Sequence, residues 1–154
     1  IANYRNLGSD EKFKHTQIGL NSRLDTFQAA ILLRKLPLLK KYNKKRRKIA
    51  KVYNKNINNK KIQKLNYSKD AVYHQYVVLV KNRQKLTEVL KKNDIQFGFH
   101  YPKSLYQIEA LKKRFKNDKY KNAEQLARNC ISLPIDPNLK LNELNKVVKV
   151  LNSF

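Results

Sequence analysis

The sequence predicts a mixed α and β chain, in which a helical arm precedes a small α+β domain. Three observations predict it. Apolar residues recur at helical spacing on both sides of Pro37. Beyond residue 72, apolar β-type runs and a helical segment follow one another in the order β, α, β. Residues 141–151 then repeat apolar side chains at the spacing of an amphipathic helix.

The arm is predicted to contain two helices. Phe27, Ala30, Ile31 and Leu33 fit a helix over residues 25–35 that buries much of its circumference. Proline suits the first turn of a helix and disrupts an interior, so Pro37 predicts a break at residue 36 and a second helix to about residue 57. The apolar stripe of this second helix is Leu39, Tyr42, Ile49, Tyr53 and Ile57.

The domain is predicted to begin after a polar linker at residues 58–70, which divides the chain into residues 1–57 and 58–154. One short strand is predicted at residues 62–65. Buried strands are predicted at residues 73–80 and 95–101, around a helix at residues 83–92. A helix at 120–129, a strand at 130–133 and a helix at 141–151 complete the domain. The residues predicted to face inward on the last helix are Leu144, Val147, Val148 and Leu151.

The chain carries 35 basic and 11 acidic residues, which gives a formal net charge of +24. Such an excess is typical of proteins that bind nucleic acid or anionic membranes. Only eight of the basic residues are Arg, the residue that base readout and phosphate forks favour. We therefore interpret the charge mainly as a solvated lysine-rich surface. A nucleic-acid-binding module that uses the helix at residues 40–51 is the alternative.

The single cysteine, Cys130, cannot form an intramolecular disulfide and is consistent with a reducing compartment. No apolar run approaches the roughly 20 residues of a membrane helix, so we predict a cytoplasmic protein without membrane attachment. The three histidines are far apart in the sequence and predict no metal site. His74, on the predicted strand 73–80, is interpreted as a structural residue.

Residues 19–30 join a Gly-Asn turn to the start of the first predicted helix. Ser22 or Asp25 can cap that helix, which would hold the neighbouring Asn21 and Arg23 at a fixed position. An amide can donate to an anionic oxygen, and a guanidinium binds carboxylate or phosphate at two points. Asn21 can also be a turn residue, and Arg23 can pair with Asp25 or with another acidic residue at an interface.

This segment resembles the G-x-N-x-R-x-D-x-x-Q-A-A segment of the PLP-dependent sugar aminotransferases of the DegT/DnrJ/EryC1/StrS family. Other landmarks of the family occur in the family's order. They are Arg5-Asn6-Leu7-Gly8, Arg46-Arg47-x-x-Ala50-x-x-Tyr53, Tyr73-His74-Gln75-Tyr76, His100-Tyr101-Pro102 and Ile131-Ser132-Leu133-Pro134.

The resemblance implies an α/β fold, the PLP-dependent transferase fold of aspartate-aminotransferase type. It covers nearly the whole chain but only the family's C-terminal part, less than half of a complete subunit. The cofactor-linked lysine of the family is therefore expected before Ile1, so we expect no catalytic residue in this chain and no activity from it alone. The implied reaction converts a keto group on a nucleotide-linked sugar to an amine, with glutamate as the amino donor.

The resemblance also implies roles for individual residues. Asn21 corresponds to a residue that reaches the phosphate of pyridoxal 5'-phosphate in the partner subunit, which implies a homodimer with shared active sites. Arg23 is expected to bind an anionic part of the substrate. His100 and Tyr101, at the end of a predicted strand before Pro102, are expected to line the sugar pocket, with strand-end packing as the alternative.

Overall fold

A computed structural model describes residues 1–115 and 120–154 of the chain, which form two compact units, residues 1–40 and 41–154. The first unit contains α1 (Ala2–Arg5), β1 (Ser9–Glu11), β2 (Lys14–His15) and α2 (Thr26–Lys35). A 3-10 turn at Leu36–Leu38 leads into α3 (Leu39–Asn56). The second unit continues with β3 (Ile62–Lys64), β4 (Tyr76–Val80), α4 (Arg83–Lys92), α5 (Glu109–Lys112), α6 (Lys121–Asn129), β5 (Cys130–Leu133) and α7 (Leu141–Ser153).

Helix α2 has the predicted length, but its predicted burial is wrong for this chain. None of its residues is buried, and the side chains of Phe27 and Leu33 are 77% and 70% exposed. A unit of 40 residues offers too small a second layer to cover an apolar helix. Asp25 occupies the N-cap position, as predicted, although its side chain makes no capping hydrogen bond.

The second unit is built on an antiparallel sheet in the order β3-β4-β5. Because side chains alternate between the two faces of a strand, Tyr76, Val78 and Val80 share one face and are buried. Helices α3, α4 and α7 supply the other half of the core. Their most deeply buried residues are Ala50, Tyr53, Leu86, Leu90 and Leu151.

Two predicted strands differ from the structure. Residues 95–101 form a single bridge, between Gly98 and Ser132, and the glycine at the centre of this segment weakens it as a strand. Strand β4 begins at Tyr76 instead of residue 73, since Tyr73 has a φ of 50° that a continuous strand does not allow. His74 is therefore exposed and lies outside the strand, contrary to the prediction.

The predicted helices of the domain agree closely with α4, α6 and α7, and β5 has the predicted bounds. On α7, the sequence pattern predicted that Val148 faces inward. In the structure Val150 is buried instead, and Val148 is only partly buried. The second half of α3 contributes to the core of the unit formed by residues 41–154. The division at residues 57 and 58 concerns the domains of a larger protein and stays a prediction.

Tyr53 links the helical layer to the end of the sheet. Its ring is fully buried, lies 5.0 Å from the ring of Tyr76, and its hydroxyl donates to the carbonyl oxygen of Pro134 at 2.8 Å. Burial raises the pKa of both tyrosines. The charge of Tyr76 adds to the rise at Tyr53, and the charge of Tyr73 adds to the rise at Tyr76, whose pKa reaches about 12. Below pH 10 both phenols are neutral in the folded and unfolded states.

The substitution Tyr53→Phe is therefore expected to have an effect that changes sign with pH. At pH 8 the lost hydrogen bond should lower the free energy of unfolding by about 1 kcal/mol. Above pH 10 Tyr53 ionises in the unfolded wild type but stays neutral in the folded state. This difference lowers the free energy of unfolding of the wild type by about 1.4 kcal/mol per pH unit. The variant lacks this loss, so the two stabilities should become equal at about pH 11. Urea unfolding at pH 8, 10 and 11 measures the difference between the free energies of unfolding of wild type and variant. A difference that stays constant with pH would contradict the prediction.

Candidate functional site

In the first unit, the segment that contains Asn21 pairs with the segment that contains Asn6. The amide of Leu7 donates to the carbonyl oxygen of Leu20 at 3.0 Å, and the amide of Ser22 donates to that of Arg5 at 2.9 Å. These bonds flank an antiparallel bridge between Asn6 and Asn21. The Arg5–Gly8 and Gly19–Arg23 motifs, separated in the sequence, therefore form one structural element.

Two glycines allow this close approach. Gly8 has a φ of 71°, and a Cβ atom there would lie 1.7 Å from the carbonyl oxygen of Gln17. A Cβ atom on Gly19 would lie 2.1 Å from the amide nitrogen of Gly8. Since no side chain fits at either position, both glycines are needed to bring the two motifs together.

Arg23 is exposed, and its Nη2 atom donates to the side-chain oxygen of Asn6. Its hydrogen-bond partner is thus a neutral amide, and not the carboxylate of Asp25 that the sequence offered as an alternative. An amide fixes the guanidinium without neutralising it, so Arg23 keeps its positive charge for an anionic ligand. Sequence reasoning missed Asn6 as a partner, although the motif Arg5–Gly8 contains it.

Asn21 is also exposed, and no described residue hydrogen-bonds to its side-chain amide. The bridge to Asn6 fixes the backbone at Asn21, and the two N–H groups of the side-chain amide stay accessible. Such a group can donate to a phosphate oxygen. Asn21 and Arg23 lie two residues apart at the entry to α2.

In the second unit, His100 and Tyr101 lie beside β5. The Nδ1 atom of His100 lies 2.9 Å from the hydroxyl oxygen of Ser132, and the rings of His100 and Tyr101 meet edge to face at 5.7 Å. The peptide bond between the two is cis. Tyr101 is 72% exposed, so its side chain does not have the packing role at a strand end that was the alternative expected from the sequence.

Both side chains line a groove of about 930 Å³ on the face of the sheet opposite the core. Val77 and Leu79 of β4 form its floor, and Ala127 of α6 is part of its wall. The lining is mostly apolar and aromatic, whereas His100 and Lys103 bring polar groups. The groove can therefore take a ligand with apolar surface that offers hydrogen-bonding groups near His100.

A model of the DegT/DnrJ/EryC1/StrS aminotransferase family matches residues 1–152 of the chain. The chain belongs to this family. The resemblance seen in the sequence motifs is confirmed, and the family membership covers both structural units.

Curated relatives of the family include a dTDP-3-amino-3,6-dideoxy-alpha-D-galactopyranose transaminase from Aneurinibacillus thermoaerophilus. It is 36% identical over 97% of this chain and 42% of its own length. A UDP-2-acetamido-2-deoxy-3-oxo-D-glucuronate aminotransferase from Pseudomonas aeruginosa is 30% identical over 95% of this chain and 41% of its own length. The chain thus spans about two fifths of the length of these relatives and corresponds to their C-terminal part.

Solved structures of family members have the same fold. DesV from S. venezuelae superposes with a TM-score of 0.87 at 29% identity, over 98% of this chain and 42% of DesV. A family aminotransferase from Brucella abortus gives a TM-score of 0.84 at 28% identity, over 96% of this chain and 40% of its own. The predicted fold class, that of the PLP-dependent sugar aminotransferases, is confirmed.

The remaining family motifs hold the second unit together. Arg47 donates from Nε to the carbonyl oxygen of Ala71 at 2.9 Å, which fastens α3 to the loop before the Tyr73–Tyr76 motif. Tyr53, of the same motif as Arg47, contacts Tyr76 and the carbonyl oxygen of Pro134. These motifs are therefore structural, and they support the strand that carries Ser132.

The comparisons give no support to the nucleic-acid alternative. The lysines of α3 at positions 41, 44, 48, 51 and 55 are all exposed. Their spacing of three and four residues places them on one face, away from Ile49 and Tyr53, which is the arrangement of a solvated helix face.

Two kinds of feature are absent from residues 1–115 and 120–154. No group of three or more His, Cys, Asp or Glu side chains there could hold a metal ion. No helix there combines the length and the apolar character that crossing a membrane requires.

Proposed function

We propose that the chain is the C-terminal portion of a PLP-dependent aminotransferase that converts a nucleotide-linked keto sugar to an amino sugar. The observation that carries the proposal is the family match over residues 1–152. Relatives named as transaminases of dTDP-linked and UDP-linked sugars support the substrate class. Their names place the amino or keto group at position 3, so a nucleotide-linked 3-keto sugar is the substrate to test first.

The residues of the first unit fit the phosphate of the cofactor. Asn21 offers two amide donors without a partner among the described residues, on a backbone held by the bridge to Asn6. When bound, pyridoxal 5'-phosphate supplies the electron sink that exchange of an amino group for a keto oxygen requires. We assign to Asn21 a hydrogen bond to the cofactor phosphate of the partner subunit in a homodimer.

The other three residues have roles toward the substrate in this proposal. Arg23, held by Asn6, binds an anionic group of the nucleotide sugar. His100 and Tyr101 present an imidazole and a phenol to the sugar hydroxyls from the edge of the groove. We also infer glutamate as the amino donor and a cytoplasmic location.

The proposal is tested with the complete enzyme that contains this chain. Incubated with glutamate and a dTDP- or UDP-linked 3-keto sugar, it should form 2-oxoglutarate and amino sugar in equal amounts, because the amino group of glutamate replaces the keto oxygen. Omission of the keto sugar is the control. If no such sugar yields amino sugar while glutamate still converts the bound cofactor, the assigned acceptor class is wrong.

The substitution Asn21→Ala is expected to weaken retention of the cofactor by about 10- to 100-fold, the range for a lost hydrogen bond to a charged group. Equilibrium dialysis with pyridoxal 5'-phosphate measures the change. Asn66→Ala, at an exposed amide of the other unit, is the matched control. Unchanged retention in Asn21→Ala would remove the phosphate role.

The shared site is tested by mixing subunits. If Asn21 acts across the interface of a homodimer, mixing an Asn21→Ala subunit with a subunit that lacks the cofactor-linked lysine should restore activity. One site of the mixed dimer then contains both the lysine and Asn21, each from a different subunit. Each variant assayed alone is the control. Failure of the mixture, with mixed dimers verified, would place Asn21 in its own subunit's site.

A further inference from the structure

Ser132 is one of the few buried polar residues of the second unit, and nothing described so far gives its hydroxyl a function. It lies on β5, opposite Val77 of β4, with a side chain only 6% exposed. Val77 lines the groove, so this register places Ser132 on the groove face of the sheet. A hydroxyl buried in this way needs a partner, and its partner is Nδ1 of His100 at 2.9 Å.

Gly98 lies on the other side of the same imidazole. A Cβ atom at Gly98 would lie 2.7 Å from Cε1 of His100, so the ring occupies the space that a side chain would fill. Gly98 and Ser132 also exchange two backbone hydrogen bonds, of 3.1 and 2.8 Å. The hydroxyl that holds the ring and the glycine beneath it therefore belong to one rigid bridge.

This arrangement leaves one ring nitrogen for a ligand. Nδ1 is engaged by Ser132, and Nε2 lies across the ring from it, on a residue that lines the groove. A hydrogen bond at one imidazole nitrogen fixes the ring plane and thus the direction in which the other nitrogen points; because a serine hydroxyl can donate or accept, either tautomer keeps this bond. Exposed histidines without such a partner rotate freely about their side-chain bonds.

We propose that Ser132 and Gly98 are positioning residues that orient His100 so that Nε2 contacts a hydroxyl of the sugar substrate. The inference rests on the proposed function, in which His100 binds the sugar. It assigns a role to the motif Ile131–Pro134, whose Ser132 holds the imidazole of the motif His100–Pro102. It also explains why residue 98 is a glycine.

The kinetic test separates the two half-reactions of the complete enzyme. Ser132→Ala should raise the KM for the nucleotide keto sugar by about three- to tenfold, the range for one lost hydrogen bond, and should leave the glutamate half-reaction unchanged. Ser132→Thr keeps the hydroxyl and should restore most of the affinity for the sugar. Ser153→Ala, on α7 away from β5, is the matched control.

A double-mutant cycle tests whether Ser132 acts through His100. In the background His100→Ala, the additional substitution Ser132→Ala should have no further effect on KM, because there is no ring left to orient. Gly98→Ala should displace the ring with Ser132 intact and raise the same KM. Additive effects in the double variant would show that Ser132 acts by another route.

A spectroscopic measurement avoids dependence on turnover. In the enzyme labelled with ¹³C- and ¹⁵N-histidine, the ring signals of His100, assigned by comparison with His100→Ala, should show a nuclear Overhauser contact between the Cε1 proton and the α protons of Gly98 in the wild type and in Ser132→Thr. This contact should weaken strongly in Ser132→Ala. Its absence in the wild type would overturn the inference. An enzyme that aminates no nucleotide sugar would instead refute the proposed function, and the ring contact would still report on the role of Ser132.

Discussion

Replacing Tyr53 with alanine is expected to lower the free energy of unfolding of the chain by about 3–5 kcal/mol, the range for removal of a buried aromatic side chain. Tyr53 is fully buried, contacts Tyr76, and donates to the carbonyl oxygen of Pro134. The substitution therefore removes packing area and also leaves a carbonyl oxygen without its donor. Far-UV circular dichroism during urea unfolding at pH 8 measures the loss.

Tyr53→Phe is the matched control for this experiment. It keeps the ring and loses only the hydroxyl, so about 1 kcal/mol of the effect should remain at pH 8. Tyr42→Ala, on the same helix but only partly buried, should cost less than Tyr53→Ala. Equal losses from Tyr42→Ala and Tyr53→Ala would show that Tyr53 is not the central contact between α3 and the sheet.

The elements that the sequence predicted best are those whose patterns are decided locally. Asn82 caps α4 by accepting from the amide of Lys85, and Leu86 and Leu90 face the core one helical turn apart. Strand β5 is a short apolar run closed by Pro134. In both cases local chemistry and tertiary packing favour the same structure.

Burial and strand pairing could not be predicted as well, because they depend on what lies opposite. The apolar spacing of α2 predicts a helix correctly, but it carries no information about which surface covers Phe27 or Leu33. Residues 95–101 have the composition of a strand, yet only Gly98 finds a pairing partner. Composition sets the propensity of a segment, whereas its pairing depends on how the backbone beside it runs.

The candidate site shows the same division. The motifs identified Asn21, Arg23, His100 and Tyr101 as candidates, and their roles stay predictions. The hydrogen bonds that orient two of them, one between Arg23 and Asn6 and one between His100 and Ser132, join residues 17 and 32 positions apart. No local pattern contains such a pairing, although each partner lies within a motif of the family.

Gly8→Ala is expected to separate the two motifs that hold Asn21 and Arg23. The left-handed backbone at Gly8 costs another residue about 1–2 kcal/mol, and the clash with Gln17 adds about 1–3 kcal/mol. Amide hydrogen exchange should therefore accelerate at least about 30-fold at Leu7 and Ser22, whose hydrogen bonds join the motifs. Lys12→Ala, at an exposed position of the same unit, should leave these rates unchanged.

Gly8→Asn separates the two causes of that loss. Asparagine tolerates a positive φ better than alanine, but its Cβ atom meets the carbonyl oxygen of Gln17 at the same place. If the clash dominates, Gly8→Asn should exchange as fast as Gly8→Ala; if backbone strain dominates, it should be partly protected. Wild-type exchange rates in both variants would show that the motifs pair without the close approach at Gly8. The fixed presentation of Asn21 and Arg23 would then need another cause.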